Sequence, residues 1–196
     1  LLSDGDSDGD LDLLVARRGA RNGLYLNDGR GAFTDVSGTL PGGVEDSIGL
    51  CSADFDSDGR ADLLVVNAAP DRPRLLLGSP AGFVDASPRL GLPAGDWIAA
   101  GSGDLDGDGD IDLVVASAAS GVVLRNLGSA WFVAVTGAWP APSSQAAIAL
   151  GDVDQDGDFD LLVAGARDRD RVHFNDGAGR FAGPAVAESA FPRIDE

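Results

Sequence analysis

Short apolar runs recur along the chain, each bracketed by polar residues and glycines. The most apolar are Leu13-Leu14-Val15, Leu63-Leu64-Val65-Val66, Leu113-Val114-Val115 and Leu161-Leu162-Val163. Runs this short, rich in leucine and β-branched valine, predict strands buried on both faces. Ahead of three of them lies a run of small and apolar residues, at 48–53, 98–103 and 148–151, which predicts a partner strand. A polar turn follows, then a third run, as in Leu24-Tyr25-Leu26 and Leu75-Leu76-Leu77. Asn27-Asp28-Gly29 and Asn175-Asp176-Gly177 carry the turn chemistry that supplies positive φ in a hairpin. A fourth, aromatic-containing strand closes the unit. No segment sustains a 3.6-residue apolar period, so helix is not expected to matter.

The unit repeats. Four acidic clusters begin at Asp4, Asp54, Asp104 and Asp152, spaced 50, 50 and 48 residues apart. An aromatic ends each Gly-rich turn, at Phe33, Phe83, Phe132 and Phe181, spaced 50, 49 and 49 apart. Four-stranded units at this period predict an all-β fold, a β-propeller with four blades in this chain. A single domain over residues 1–196 is expected, with repeats at about 1–46, 47–96, 97–145 and 146–196. The Gly-, Ala- and Ser-rich first strand suits the crowded axis of such a ring. A β-sandwich of unrelated hairpins competes with this reading but has no reason to show the period.

Charge sharpens the picture. The net charge is −18, from 32 acids and 14 arginines, with no lysine. The four clusters hold 19 of the acids and one base, Arg60, and so carry the whole net charge. The remainder is neutral, with no basic face for nucleic acid. No apolar run is long enough to span a membrane. No charged-then-apolar leader opens the chain, so any signal peptide is expected to be already absent. The single cysteine, Cys51, excludes an internal disulfide.

The clusters have the chemistry of a hard-cation site. In the third, Asp104, Asp106 and Asp108 stand at loop positions 1, 3 and 5, Gly109 at position 6, and Asp112 at position 9. Alternating carboxylates before a glycine turn converge on one point. One oxygen from each of three aspartates, the position-7 carbonyl of Asp110 and a bidentate Asp112 make about six ligands, which suits Ca²⁺ better than Mg²⁺. The other sites are Asp4, Asp6, Asp8, Asp10 and Asp12; Asp54, Asp56, Asp58, Arg60 and Asp62; and Asp152, Asp154, Asp156, Asp158 and Asp160. Position 7 varies (Asp10, Arg60, Asp110, Asp158), as expected where only the main-chain carbonyl binds. An EF-hand is rejected, because position 12 holds Val15, Val65, Val115 and Val163 where that loop needs a bidentate Glu. The alternative is a merely solvated acidic turn, against which the fixed glycine and spacing argue.

The D-x-D-x-D-G-x-x-D-L pattern after a small-residue strand, followed by NGLYLNDGRGAFTDVS, resembles the FG-GAP/VCBS repeat family, whose cation loops are similar to those of integrin α-subunit propellers. The resemblance covers nearly the whole chain. It implies about four Ca²⁺ ions, one per repeat, each stiffening the hairpin between a blade's first two strands. It also implies a secreted or cell-surface protein of bacterial type, acting as an adhesion scaffold that binds a protein or a glycan. The alternative is a lectin, or the propeller domain of a secreted polysaccharide-active enzyme with its chemistry elsewhere. Family rings commonly have seven blades. Leu1-Leu2-Ser3 aligns with residues 51–53, and the tail ends near the start of the same strand, so a closed four-bladed ring is preferred here. A larger ring is the alternative, including an eight-bladed one completed by a second chain as a homo-oligomer.

Nothing in the sequence assembles a catalytic set, and no enzyme activity is expected. His173, the one histidine, shares its strand position with Tyr25, Leu76 and Leu124, which points to packing. Cys51 aligns with Gly101 and Ala149 and reads as a small buried residue. Arg-rich turns at Arg17, Arg18, Arg21, Arg72, Arg74, Arg167, Arg169 and Arg171 share one face and could hold an anionic glycan or an acidic partner. The plainer expectation is pairing with Asp71, Asp168 and Asp170. Of Trp97, Trp131 and Trp139, packing is expected for at least two, and sugar stacking is open to the rest.

Overall fold

The computed structural model describes residues 1–93, 95–117, 120–139, 145–165 and 170–181. They form four antiparallel, blade-like sheets in chain order. The first contains β1 (Leu2–Ser3), β2 (Asp12–Val15), β4 (Gly23–Asn27) and β5 (Phe33–Asp35); β3 (Arg18–Ala20) lies between its second and third members. The second contains β6 (Glu45–Ala53), β7 (Asp62–Asn67), β8 (Arg74–Leu77) and β9 (Val84–Asp85). The third contains β10 (Trp97–Gly103), β11 (Asp112–Ser117), β12 (Gly121–Asn126) and β13 (Phe132–Val135). The fourth contains β14 (Gln145–Gly151), β15 (Asp160–Gly165) and β16 (Arg171–His173), with an isolated bridge from Asn175 to Phe181 in place of a fourth strand among the described residues. The only helical pieces described are two 3₁₀ turns, Ser37–Thr39 and Ser87–Arg89.

Register follows the repeat. Leu13, Leu63, Leu113 and Leu161 pair with Tyr25, Leu76, Leu124 and His173 in turn. His173 is fully buried, with its ring edge-on to Trp139, as the packing assignment requires. The inner strands β6, β10 and β14 each shift register by one residue near their starts, a bulge repeated from blade to blade. They lie beside one another through small side chains. Ser3 Oγ is 2.9 Å from Ser52 Oγ, and the Cys51 thiol donates to Ser102 Oγ over 3.1 Å. A Cβ on Gly103 would stand 2.7 Å from the Phe159 ring, so only glycine lets that neighbour approach.

The two middle apolar runs, in β7 and β11, are buried on both faces because a sheet stacks on each side of them, whereas Leu13 and Val15 in β2 and Leu162 in β15 are only half-buried. One core, with Leu14, Leu24, Leu63, Val65, Leu76 and Phe83, joins sheets 1 and 2. A second, with Phe55, Leu64, Leu75, Leu113, Leu124 and Phe132, joins sheets 2 and 3. A third, with Leu105, Val114, Trp139, Leu161 and Phe181, joins sheets 3 and 4. Among the described residues, none of these cores joins sheet 4 to sheet 1.

One element departs from expectation. The polar turn of the first repeat contains β3, which leaves its own blade and pairs with the extended start of β6, Arg18 opposite Asp46 and Ala20 opposite Glu45. Ser47 N–H donates to the Arg17 carbonyl, and the Asn22 amide donates to Ser47 Oγ, at 3.2 and 2.9 Å. A run of three polar and small residues has no apolar period to betray it; its ladder partner lies on the next blade.

Candidate metal centres and the surfaces around them

The acidic loops join the first strand of each blade to the second, on the same end of the molecule as the hairpin turns between strands three and four. Each is wound by its own aspartates. The position-1 carboxylate accepts N–H groups from within the loop: Asp4 from Asp8 and Gly9, Asp54 from Asp58 and Gly59, Asp104 from Gly107 and Gly109, Asp152 from Gln155 and Gly157. The position-5 carboxylate accepts the N–H of position 7 in all four loops, at 2.9 to 3.0 Å. Position 6 has positive φ, between +85° and +101°, as the glycines there allow. Position 4 is also left-handed, at Ser7, Ser57, Gly107 and Gln155, which the spacing did not reveal.

This winding turns carboxylates inward. One oxygen from each of Asp4, Asp6 and Asp8 lies within 4.8 Å of the others, as for Asp54, Asp56 and Asp58, and for Asp104, Asp106 and Asp108. In the fourth loop the group is Asp152, Asp154 and Asp160. Burial, then the neighbouring carboxylates, pushes Asp6, Asp56 and Asp154 above the ordinary carboxylate range. Oδ1 of Asp56 and Oδ1 of Asp106 are buried without a hydrogen-bond partner. Buried partnerless oxygens among like charges are costly unless a cation faces them. The donor set is all hard oxygen, and the residues fit a Ca²⁺-type ion.

Position 9 does more than the spacing suggested. Asp12, Asp62, Asp112 and Asp160 are at most 1% exposed. In each, Oδ2 accepts the N–H of loop position 2, from Gly5, Phe55, Leu105 or Val153. Oδ1 accepts an N–H from the end of the third strand or just after it, at Asn27, Gly78, Asn126 or Asn175. This carboxylate therefore ties the cation loop to the outer half of the blade, and burial pushes Asp62 and Asp112 up to about 6.

Position 7 also has side-chain work. Arg60 folds back on Asp58, Nη1 to Oδ2 at 2.5 Å. The Asp10 carboxylate occupies the space where a Cβ on Gly29 would sit, 2.4 Å from it, and the hairpin glycine also serves its φ of +70°. The third loop carries a cation from outside it: Arg125 Nε pairs with Asp106 Oδ2 at 2.6 Å, and Nη2 donates to the Ala178 carbonyl on the next blade.

The opposite end carries the arginine turns. In the second blade the partners differ from those expected: Arg74 pairs with Glu45 and Asp85, while Asp71 accepts the Asp46 N–H. Arg17 lies over the Tyr25 ring and donates to its hydroxyl. Arg167, Asp168 and Arg169 lie outside the described residues. A cleft of about 800 Å³ opens here, lined by Pro70, Arg72, Pro73, Pro88, Pro93 and Asp96. Trp97 and Trp139 are buried, 4% and 6% exposed, whereas Trp131 is 55% exposed with the Arg89 guanidinium 5.4 Å from its ring centre. Cys51 is half-buried rather than fully so; burial pushes its thiol up.

Stacked antiparallel sheets with an aspartate-rich loop in every first hairpin define a propeller-like repeat protein with candidate metal sites. The chain belongs to the FG-GAP-like repeat family, whose model matches residues 4–65, 54–115 and 104–163. Among solved structures, the chain is similar to a lectin from Agrocybe aegerita, described for specific recognition of non-reducing terminal N-acetylglucosamine. The TM-score is 0.61 at 22% identity, over 94% of this chain and 50% of that one. It is also similar to the Tc holotoxin pore of Photorhabdus luminescens, TM-score 0.50 and 24% identity, over 96% of this chain and 9% of that one. At these identities the likeness concerns the fold. The chain thus spans half the length of the lectin and a small part of the toxin. No curated protein matches it.

Proposed function

We propose that this chain is a calcium-stabilised β-propeller scaffold that works outside the cell and binds a glycan or protein ligand without catalysing a reaction. The observation that carries the reading is the buried, partnerless oxygen at position 3 of the second and third loops, set among carboxylates in four copies of one loop. Positions 1, 3 and 5, the carbonyl of position 7 (Asp10, Arg60, Asp110, Asp158) and the carboxylate of position 9 would hold the ion in each loop. Bound Ca²⁺ supplies positive charge that offsets carboxylate repulsion and cross-links the hairpin. Four ions would offset eight of the 18 negative charges. Millimolar calcium outside cells is enough to fill weak sites.

Ligand binding is supported by the lectin's fold and by Trp131, a large exposed ring braced by Arg89, which offers a flat apolar face to a sugar. The sole histidine is buried beside Trp139, and on this reading the loop carboxylates serve as cation ligands and not as catalytic bases. A glycan array probed in millimolar Ca²⁺ and again in chelator tests the reading. The expected result is saturable binding to a restricted set of glycans, abolished by chelator and reduced at least tenfold in Trp131→Ala. Binding to no glycan, or binding indifferent to both perturbations, removes the glycan reading.

A further inference from the structure

The seams between blades share one construction. Phe132, the strand-four aromatic of blade 3, packs edge to face on Phe55 at position 2 of the preceding loop, 5.8 Å between centroids at 78°. The corresponding residues of the next seam, Phe181 and Leu105, both belong to the third core. At the first seam position 2 is Gly5, and a Cβ there would lie 3.7 Å from the Phe83 ring. A polar latch runs alongside. Asn126 Nδ2 donates to the Phe55 carbonyl of the blade before it and to Ile111 of its own loop, at 2.8 and 3.1 Å. Asn175 repeats this with Leu105 and Phe159, at 2.8 and 3.2 Å.

Both halves of this seam stand uncovered at the two ends of the stack. Phe33 is 48% exposed, against 9%, 3% and 3% for Phe83, Phe132 and Phe181. Val153, position 2 of the last loop, is 43% exposed, against 0% and 1% for Phe55 and Leu105. Leu2 on the first inner strand is 58% exposed. Asn27 makes the own-loop half of the latch, to the Leu11 carbonyl at 3.2 Å, and among the described residues no preceding-blade carbonyl meets it.

We propose that these ends are the two halves of one interface, and that a second copy of this chain docks head to tail. Phe33 of one copy seats on Val153 of the other, and the Asn27 amide donates to that Val153 carbonyl. The inference rests on the propeller reading of the fold. A second copy is the fitting occupant because the donor half and the acceptor half are both present on this chain, in the registers that already make its internal seams. A head-to-tail contact buries both ends when its rotation closes a ring.

Light scattering coupled to size exclusion, in millimolar Ca²⁺ at micromolar protein, tests the proposal. The expected mass is twice the 19.9 kDa of one chain. Phe33→Asp and Val153→Gln each give monomers, and mixing the two variants restores a heterodimer, because one intact seam survives between them. Position 2 already accepts Gly, Phe, Leu and Val, so Val153→Gln leaves the loop able to fold. Val84→Asp, at a residue 54% exposed on β9 and away from either end, remains dimeric. Asn27→Ala removes one hydrogen bond from each of the two seams and weakens dimerisation by about thirtyfold. Head-to-tail polymers that both end variants abolish also support the docking. A monomeric wild type overturns it, including the case in which further blades of a longer polypeptide cover these ends. So does a dimer that survives both variants, or a mixture that stays monomeric. A wild-type monomer that melts cooperatively leaves the fold reading in place while the docking proposal falls.

Discussion

Replacing Asn126 with alanine isolates the link between blades. Asn126 is fully buried at the end of β12. Its amide nitrogen holds two carbonyls, Phe55 at 2.8 Å and Ile111 at 3.1 Å, and its Oδ1 accepts Gly128 N–H at 3.1 Å. Alanine keeps the main-chain N–H on Asp112 and loses all three side-chain bonds. The Phe55 carbonyl retains the Ala130 N–H, so it is not orphaned. At about 1 kcal/mol for each lost bond, the cost is roughly 3 kcal/mol. For a chain of this size that lowers the melting midpoint by roughly 6–12 °C. Phe55 is position 2 of the second cation loop, so the same variant loosens that loop and lowers its Ca²⁺ affinity, leaving the first loop unchanged. Urea and thermal melts followed by circular dichroism, at fixed Ca²⁺, measure the first effect; calorimetric titration measures the second. A loss below about 1 kcal/mol would refute the latch, since a buried group with three such bonds cannot be that cheap to remove. Blade 2 offers the converse. It has Gly78 at this place, and an added Cβ would sit 2.6 Å from the Ala61 carbonyl, so Gly78→Asn destabilises instead of adding a latch.

Three further outcomes follow from the loops. Chelation should lower the melting midpoint by tens of degrees, because each of four loops gains about 2.7 kcal/mol when free Ca²⁺ is a hundredfold above its Kd; a melt unchanged by chelator and by Ca²⁺ re-addition would remove the metal reading. Arg125→Leu, the residue type at Leu26 and Leu77 in other blades, frees Asp106 and should tighten the third site by up to about fivefold in a calcium titration, whereas unaltered affinity would show that the ion pair does not compete. The pH response should change sign with metal. Asp62 and Asp112, raised to about 6 by burial, bind protons more tightly folded than unfolded, where aspartate titrates near 4, so the metal-free protein loses stability as pH rises between about 4 and 6. Asp35, held low by the Ser37 hydroxyl and N–H, titrates below that window. With Ca²⁺ present the ligands must be deprotonated, and stability rises over the same range; melts moving in the same direction in both buffers would contradict this.

What the sequence determined by itself is whatever is local to one repeat. The period, the positions of the first three strands of each blade, the glycine at loop position 6 and the carboxylates at positions 1, 3 and 5 all depend on turn chemistry and residue spacing within about ten residues. Even the burial of His173 was legible, because its counterparts Tyr25, Leu76 and Leu124 show what that strand position faces. The tertiary structure decided what passes between repeats. Asn126 reaches a carbonyl 71 positions away, β3 leaves its own blade for the next, and Arg125 turns onto Asp106 and Ala178. None of these has a local pattern, because each depends on how one sheet is rotated against another. The same is true of position 9: spacing marks Asp112 as a ligand, and only the packed blade reveals that its two oxygens also tie Leu105 to Asn126. Ring size belongs to this second kind of information. Each repeat encodes its own hairpins and both sides of a seam, and which surface fills the seam at Phe33 and Val153 is set by the geometry of the whole stack.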